Sequence, residues 1–191
     1  PLPIGYGQTI SQPYMVALIC QEAGVGPGAR VLDVGTGSGY QAAVLAELGA
    51  EVDSVERIPE LAERARASLD EAGYGDRVHT HVGDGSLGLP GRAPFDAIVV
   101  GAAAPGRPSA LYAQLAEHGR LVVPVGGPGE QWLEVIVASP EGPAIARTAP
   151  CRFVPLVGEE GYGGGAERPA GPGATADRWP EVHAGATRAR V

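Results

Sequence analysis

Three acidic residues of this chain stand at positions from which they could hold one ligand together. Asp33 lies near the end of an apolar run, Glu56 closes the next strand-like run, and Asp84 follows a third. In an open parallel sheet the carboxyl ends of the strands meet along one edge, and ligands bind in the crevice outside that edge. The spacing therefore predicts that the three carboxylates converge on one ligand, with three independent turn acids as the alternative.

A glycine-rich segment follows Asp33 and leads into a predicted helix over residues 40–48. Residues 35–39 of this segment are Gly-Thr-Gly-Ser-Gly. Glycine lets the backbone take positive φ angles and approach a ligand closely, and the N–H groups of the first helical turn have no partners inside the helix. The segment is typical of a cofactor site, although by itself it could be only a tight turn.

The spacing of the glycines disfavours a dinucleotide. Counted from Gly35 and Gly37, a G-x-G-x-x-G/A fingerprint needs a small residue at position 40, where this chain has Tyr40. No Lys or Arg lies between residues 31 and 48 to meet a pyrophosphate, and Asp33 favours a ligand that carries positive charge. S-adenosylmethionine, with its ammonium and sulfonium groups, is such a ligand, whereas an NAD-dependent dehydrogenase is disfavoured.

The positions of the other two acids suggest what each would bind. Glu56 lies 21 residues after Gly35, the separation at which an acid at the end of the second strand reaches ribose hydroxyls. The alternative interpretation of Glu56 is a solvated acid near a helix start, because Pro59 begins the next predicted helix. Asp84 could accept a hydrogen bond from the exocyclic amine of an adenine. The pattern predicts a nucleoside-type cofactor.

Ser11 has two interpretations. It stands two residues before Pro13, at the start of a predicted helix that Gly24 ends, and a hydroxyl in that place is typical of a helix cap. The sequence alone favours the cap, and a role in chemistry is the alternative.

Alternation of strands and helices predicts an α/β fold with a doubly wound, mostly parallel, Rossmann-like sheet. Strands are predicted over residues 31–34, 51–55, 77–82, 94–101 and 120–125, and helices over residues 13–24, 40–48, 60–72 and 108–117. Two further strand-like runs, 132–138 and 144–148, are joined by short turns, so we expect them to pair antiparallel at the carboxyl-terminal edge of the sheet.

Composition narrows the classes of partner. The 191 residues carry 14 basic and 22 acidic side chains, a formal net charge of −8, and no basic cluster precedes the carboxyl end, which disfavours nucleic acid and anionic membranes. Cys20 and Cys151 are far apart without a C-x-x-C motif, so we expect reduced thiols in a cytoplasmic protein. His79 and His81 share a strand face but lack a third ligand, so no metal site is expected. A monomer is the default expectation.

The domain boundary is predicted where the composition changes. Residues 1–158 should form one domain, because the chain is long enough to bury a substantial core. From residue 158 onward Gly, Pro, Ala and Arg dominate, and such a segment cannot bury enough apolar surface to fold alone. We therefore expect residues 159–191 to be a disordered tail.

Together these motifs resemble the protein-L-isoaspartate (D-aspartate) O-methyltransferase family. The Thr-Ile-Ser-Gln-Pro segment at residues 9–13 is the most specific of them. The resemblance covers residues 1 to about 158 and is carried by residues 3–13, 31–40, Val55-Glu56-Arg57-Ile58, Gly83-Asp84-Gly85, 95–105, 119–126 and Phe153-Val154-Pro155-Leu156. The family normally has a helical section before residue 1, so we expect either a missing upstream segment or a variant with a different lid.

The resemblance implies an S-adenosylmethionine-dependent methyltransferase fold and a repair reaction. A methyl group would pass from S-adenosylmethionine to the free α-carboxylate of an L-isoaspartyl residue, leaving S-adenosylhomocysteine, and the ester would collapse through a succinimide toward aspartate. A carboxylate with an ordinary pKa of ~3.9 is already a nucleophile at neutral pH, so no general base is needed. The resemblance makes Ser11 the residue that holds this carboxylate, which reverses the preference for a cap.

The resemblance also implies a set of site residues. The cofactor would be bound by Gly5, Asp33, Gly35, Thr36, Gly37, Ser38, Gly39, Glu56, Arg57, Asp84 and Gly85. The isoaspartyl peptide or protein would lie in a groove shaped by Thr9, Ile10, Val154 and Leu156. Two alternatives stay open: a tailoring enzyme that methylates an aspartate of a ribosomally made peptide, and a module that binds S-adenosylmethionine without catalysis.

Overall fold

A seven-stranded sheet forms the centre of the protein in a computed structural model, which describes residues 2–163. The described strands are β1 (Pro3–Gly5), β2 (Gln8–Thr9), β3 (Arg30–Val34), β4 (Glu51–Glu56), β5 (Val78–Val82), β6 (Phe95–Val100), β7 (Leu115–Gly126), β8 (Gln131–Val137), β9 (Ala144–Cys151), β10 (Val157–Gly158) and β11 (Tyr162–Gly163). The described helices are α1 (Pro13–Ala23), α2 (Tyr40–Glu47), α3 (Pro59–Glu71) and α4 (Ser109–Tyr112). The α/β class is as predicted.

The order of the strands creates a crevice at the carboxyl edge of the sheet. The strands lie in the order β5-β4-β3-β6-β7-β8-β9. The first five are parallel, β8 pairs antiparallel with β7, and β9 pairs antiparallel with β8. The chain moves outward from β3 to β5 and then crosses back to β6, so the switch point lies between β3 and β6. Ligands bind at this point in open α/β sheets. The predicted doubly wound sheet and its antiparallel edge are confirmed.

The apolar runs of the central strands are buried on both faces. On one face Val31, Val52 and Val99 pack with residues of α1 and α2. On the other face Leu32 and Ile98 pack in a second cluster, which includes Leu111 of α4. Since alternate residues of a strand point to opposite faces, a strand covered on both faces needs apolar residues at nearly every position. Polar exceptions lie on the face that α1 and α2 cover, where Asp33 of β3 stands beside Ser54 of β4.

Helix α4 is shorter than predicted, and β7 begins earlier. The expected helix over residues 108–117 ends at Tyr112, and Leu115 already pairs with Phe95 of β6. The pairing then shifts register by passing through His118, whose φ is +63°, and Gly119. A Cβ at Gly119 would stand 2.9 Å from the carbonyl oxygen of Ala116. Strand pairing with the buried β6 therefore overrides the local helical pattern.

The chain continues in ordered structure past the predicted domain boundary. Strands β10 and β11 pair in parallel, and the Tyr162 N–H donates to the carbonyl oxygen of Leu156 at 2.6 Å. Residues 159–163, assigned to the tail by composition, therefore belong to the folded part. The rest of the predicted tail, residues 164–191, lies outside the described residues. Within residues 2–163, no helix is both long enough and apolar enough to cross a membrane.

Candidate active site

Two adjoining cavities occupy the carboxyl edge of the sheet. The first, named here the Ser11 cavity, holds about 350 Å³ of open space and is lined by Thr9, Ile10, Ser11, Val16, Gly35, Thr36, Gly37, Ser38, Tyr40, Gln41 and Gly101. The second, the Glu56 cavity, holds about 560 Å³ and is lined by Ile4, Gln8, Thr9, Val34, Gly35, Gly37, Val55, Glu56, Arg57, Gly85, Gly101, Ala102, Val154, Pro155, Leu156 and Val157. Because Gly35 and Gly37 line both, the glycine turn forms the floor that joins them.

The glycine turn lets the chain pass sharply from β3 into α2. Gly35, Gly37 and Gly39 have φ angles of +92°, +55° and +83°, which side chains rarely tolerate. A Cβ at Gly37 would stand 3.3 Å from Ile4, and one at Gly39 would stand 3.1 Å from Leu69 of α3. Gly39 caps α2 and packs against α3, so it shapes the turn without lining either cavity.

Glu56 fastens this turn to the start of α3. Its Oε2 accepts from the Gly37 N–H at 3.0 Å, and its Oε1 accepts from the Ile58 N–H at 3.1 Å. The residue is 7% exposed and lines the Glu56 cavity. Each carboxylate oxygen has a second lone pair, so the group can accept further hydrogen bonds from a ligand. Both interpretations of Glu56 from the sequence thus have a structural counterpart, since it bonds a helix start and faces the cavity.

Asp33 lies beneath the cavity wall rather than on it. The side chain is fully buried, its Oδ1 accepts from Gln41 Nε2 at 2.8 Å, and its Oδ2 accepts from the Ser54 hydroxyl at 2.7 Å. Burial raises the pKa of Asp33 from 3.8 to about 6; the hydrogen bonds from Gln41 and Ser54 oppose this rise, and the nearby charge of Glu56 adds to it. A carboxylate on the face of β3 that α1 and α2 cover points into that layer, so Asp33 lines neither of the two cavities.

Asp84 is likewise occupied by the protein's own donors. Its Oδ1 accepts from the N–H and the hydroxyl of Ser86 at 2.9 and 2.7 Å, and its Oδ2 accepts from the Glu159 N–H at 2.7 Å. Partial burial raises the pKa of Asp84, but the hydrogen bonds from Ser86 and Glu159 outweigh burial and leave the pKa below its ordinary value. Asp84 lines neither of the two cavities, whereas its neighbour Gly85 lines the Glu56 cavity. Of the three acids, Glu56 alone lines one of these two cavities.

Ser11 lines the cavity that bears its name and is not a helix cap. Helix α1 begins at Pro13, Gln12 takes the cap position, and the Gln12 side chain makes no capping hydrogen bond. The capping interpretation of Ser11 is therefore wrong. The segment before it is held by the Ile10 N–H, which donates to the Leu2 carbonyl oxygen at 2.9 Å. A guanidinium N–H of Arg64 in α3 also donates to the Ile4 carbonyl oxygen at 3.0 Å.

The outer wall comes from a distant part of the sequence. The Ala103 N–H donates to the Val154 carbonyl oxygen and the Leu156 N–H donates to the Ala103 carbonyl oxygen, both at 2.8 Å. These bonds bring the segment that contains Pro155 alongside the loop after β6. Val154 and Leu156 face the Glu56 cavity together with Arg57. Cavity walls from the amino-terminal hairpin and from this segment thus face each other.

The structure brings most of the predicted site residues together. Those on a cavity wall are Thr9, Ile10, Ser11, Gly35, Thr36, Gly37, Ser38, Glu56, Arg57, Gly85, Val154 and Leu156. Those on neither wall are Gly5, Asp33, Gly39 and Asp84. Gly5, with φ +94°, shapes the hairpin turn. Sequence reasoning missed Gln41, a polar residue on the inner face of α2, and Val157. No group of three His, Cys, Asp or Glu among residues 2–163 is placed to hold a metal.

Comparisons with known proteins agree with this geometry. A family model described as protein-L-isoaspartate(D-aspartate) O-methyltransferase matches residues 1–161. A protein-L-isoaspartate O-methyltransferase of Hyperthermus butylicus is 51% identical over 173 residues, which cover 85% of this chain and 72% of that protein.

Solved structures give the same result. A Plasmodium falciparum protein-L-isoaspartate O-methyltransferase in complex with S-adenosyl-L-homocysteine has a TM-score of 0.73 at 29% identity, and the match covers 82% of this chain and 79% of that one. A second protein-L-isoaspartate O-methyltransferase structure has a TM-score of 0.73 at 30% identity. This match covers 80% of the present chain but only 49% of the second structure's chain.

Proposed function

Because the chain belongs to the protein-L-isoaspartate(D-aspartate) O-methyltransferase family, we propose that it methylates the free α-carboxylate of L-isoaspartyl residues in proteins and peptides. S-adenosylmethionine is the methyl donor. One observation carries the proposal: Ser11 and Glu56 line adjoining cavities whose common floor is the glycine turn. A substrate carboxylate beside Ser11 and a nucleoside beside Glu56 would thus lie on either side of one backbone turn.

The two cavities fit the two ends of the cofactor. In the Glu56 cavity, the partly used carboxylate can accept hydrogen bonds from ribose hydroxyls, and Gly85 and Ala102 leave room for a flat base. In the Ser11 cavity, Ser38 and Tyr40 at the start of α2 bring N–H groups that suit a carboxylate. S-adenosylmethionine supplies a methyl group on a sulfonium sulfur, which makes it an activated electrophile.

Asp33 supports the cationic end of the ligand from behind the wall. Among the described residues, no Lys, Arg, Asp or Glu lines the Ser11 cavity. The buried Asp33 carboxylate is connected to it through the Gln41 amide and through the Ser54 and Thr36 hydroxyls. A buried anion without a cationic partner makes its surroundings favourable for positive charge. Asp33 therefore acts on the cofactor through its charge, whereas Gly5 and Gly39 act through the shape of the backbone.

Ser11 orients the nucleophile. The substrate carboxylate is ionised at neutral pH, so the protein has no proton to remove. What remains is to hold one carboxylate oxygen in line with the methyl group, and well-oriented reactants gain up to ~7–11 kcal/mol from such positioning. The Ser11 hydroxyl can donate to the other oxygen. Thr9, Ile10, Val154 and Leu156 would hold the peptide on either side.

The setting of this activity follows from surface and thiol chemistry. Isoaspartyl proteins and peptides are the partners, and nucleic acid and membranes are not. Cys20 and Cys151 are free thiols, which supports action in the reducing cytoplasm. A monomer is the default expectation.

A pair of peptides tests the proposal. The two would share one sequence, with isoaspartate in one and normal aspartate in the other, and methyl transfer would be measured as methanol released from the ester. We expect release from the isoaspartyl peptide and none above background from its twin. Faster methylation of the aspartyl peptide would instead support a peptide-tailoring enzyme, and cofactor binding without methylation of either would support a binding module.

A further inference from the structure

Residues 158–162, named here the C-terminal strap, connect three parts of the molecule. The Glu159 N–H donates to Asp84 Oδ2 at 2.7 Å, and the Glu160 N–H donates to the Ser86 hydroxyl at 3.0 Å. The Tyr162 hydroxyl donates to the Gly126 carbonyl oxygen at 2.8 Å. The strap thus lies across the turn after β5 and ends on β7.

The Glu160 side chain fastens the strap to α4. Its Oε1 accepts from the Ser109 hydroxyl at 3.0 Å, and its Oε2 accepts from the Ala110 N–H at 2.9 Å. Both oxygens of a charged group are therefore used, and such hydrogen bonds are stronger than neutral ones. The neighbouring Glu159 contributes only its backbone N–H to the interactions of the described residues, and its side chain is exposed.

Close approach of backbones shows that the strap is seated in a fixed place. A Cβ at Gly158 would collide with Asp84 Oδ1 and stand 2.5 Å from Ser86 Oγ. A Cβ at Gly161 would collide with the Leu156 carbonyl oxygen. A side chain at Gly161 would meet backbone and push the strap away, and one at Gly158 would displace either the strap or the Asp84 and Ser86 side chains that hold it.

The strap holds two walls of the Glu56 cavity at once. Gly85 lies between the two residues whose side chains accept from the strap, and it lines the cavity. The residues that lead into the strap, Val154 to Val157, line the same cavity from the other side. A displaced strap would therefore loosen both walls.

We infer that Glu160 is a positioning residue for the nucleoside end of the cofactor, because its carboxylate anchors the strap that holds these two walls together. This inference rests on the proposed function, which puts the nucleoside in the Glu56 cavity. Glu160 touches neither cavity and acts through Asp84, Ser86 and the strap backbone. Removing the Glu160 carboxylate should weaken the binding of the nucleoside part and leave the contribution of the amino-acid part unchanged.

Calorimetry on the full chain with two ligands tests this inference. S-adenosylhomocysteine probes both cavities, and 5′-methylthioadenosine, which lacks the amino-acid group, probes the nucleoside end. For Glu160→Ala we expect both dissociation constants to rise by the same factor, about tenfold, the factor that one hydrogen bond to a charged group corresponds to. Glu159→Ala is the matched control and should bind both ligands as the wild type does. Glu160→Gln, which keeps one acceptor oxygen, should recover part of the loss.

Further measurements separate positioning from stability. Amide hydrogen exchange of residues 157–163 should be faster in Glu160→Ala, and Gly158→Ala should show the same exchange and the same loss of affinity. In turnover, the KM for S-adenosylmethionine should rise while kcat at saturation stays unchanged.

The contrary outcomes are distinct. If Glu160→Ala showed fast amide exchange in the strap but unchanged affinity for both ligands, the positioning role of Glu160 would be wrong. A loss of affinity for S-adenosylhomocysteine alone would also contradict it. If the wild type bound neither ligand, the proposed function itself would fail.

Discussion

Replacing Asp33 by Asn should make the protein more stable at neutral pH while weakening its binding of the cofactor. Asp33 is fully buried, and its pKa is raised from 3.8 to about 6 chiefly by burial. The folded state therefore holds the Asp33 proton more tightly than the unfolded state does. Below pH 4 the Asp33 side chain is protonated in the folded state and lowers the unfolding free energy very little. As the pH rises through 6, its ionisation lowers the unfolding free energy further.

The magnitude follows from the two pKa values. Their difference lowers the unfolding free energy by about 3 kcal/mol once Asp33 is ionised in both states. About 1.4 kcal/mol of this decrease occurs between pH 5 and pH 7.5. An Asn at position 33 carries no charge. It can still accept from Gln41, and it can donate to Ser54, whose hydroxyl then donates to Thr36 at the 2.6 Å contact between their oxygens.

Urea unfolding of the two proteins at several pH values is the assay. The difference in unfolding free energy between Asp33→Asn and the wild type should grow in favour of Asn by about 1.4 kcal/mol from pH 5 to pH 7.5. Other titrating groups cancel in this difference. Calorimetry at pH 7.5 should show weaker S-adenosylmethionine binding to the variant. Identical pH dependence in the two proteins would refute the claim that Asp33 is ionised while buried. Unchanged cofactor affinity would refute its electrostatic role in binding.

The other predictions concern residues on the cavity walls and the carboxyl end. Ser11→Ala should keep its S-adenosylhomocysteine affinity and melting temperature but lose on the order of 10²-fold in kcat. Ser11→Thr should not restore turnover. A lower melting temperature of Ser11→Ala with normal turnover at low temperature would instead show a structural role. Glu56→Ala should weaken cofactor binding by about 1–3 kcal/mol in calorimetry, since it removes the acceptor for the ribose hydroxyls. Unchanged affinity with a lower melting temperature would rule out the ribose role and leave Glu56 as the acceptor for the Gly37 and Ile58 N–H groups alone. A chain ending at residue 163 should bind S-adenosylhomocysteine normally, whereas one ending at Gly158 lacks Glu160 and should bind it more weakly; equal affinities would argue against the strap.

The fold could be predicted where the pattern of apolar residues has a single interpretation. The run around Ile98 is apolar at nearly every position, which in an α/β chain indicates a strand covered on both faces. The short connection between β8 and β9 in turn allows only antiparallel pairing. The end of α4 could not be predicted, because Leu115 suits a helix as well as a strand and only its pairing with Phe95 decides.

The candidate site could be predicted in position but not in every contact. Strand ends and glycines predict where the cavities lie and place Glu56 there. Ser11 is assigned to the site only by the family resemblance, because its position before Pro13 favours a helix cap. The direction of an acidic side chain depends on its face of the strand and on neighbouring donors. Asp33 is bound by Gln41, eight residues further on, and Asp84 by the N–H of Glu159, 75 residues away. Neither partner has a local signal in the sequence.

Locating the transferred methyl group tests the proposed function most directly. An isoaspartyl peptide would be incubated with the protein and S-adenosylmethionine, quenched in acid to preserve the ester, and sequenced by tandem mass spectrometry. We expect one methyl group on the α-carboxylate of the isoaspartyl residue, and almost none with Ser11→Ala under the same conditions. A methyl group on an ordinary aspartyl side chain, on the terminal carboxylate, or on no carboxylate of the peptide would contradict the proposed function.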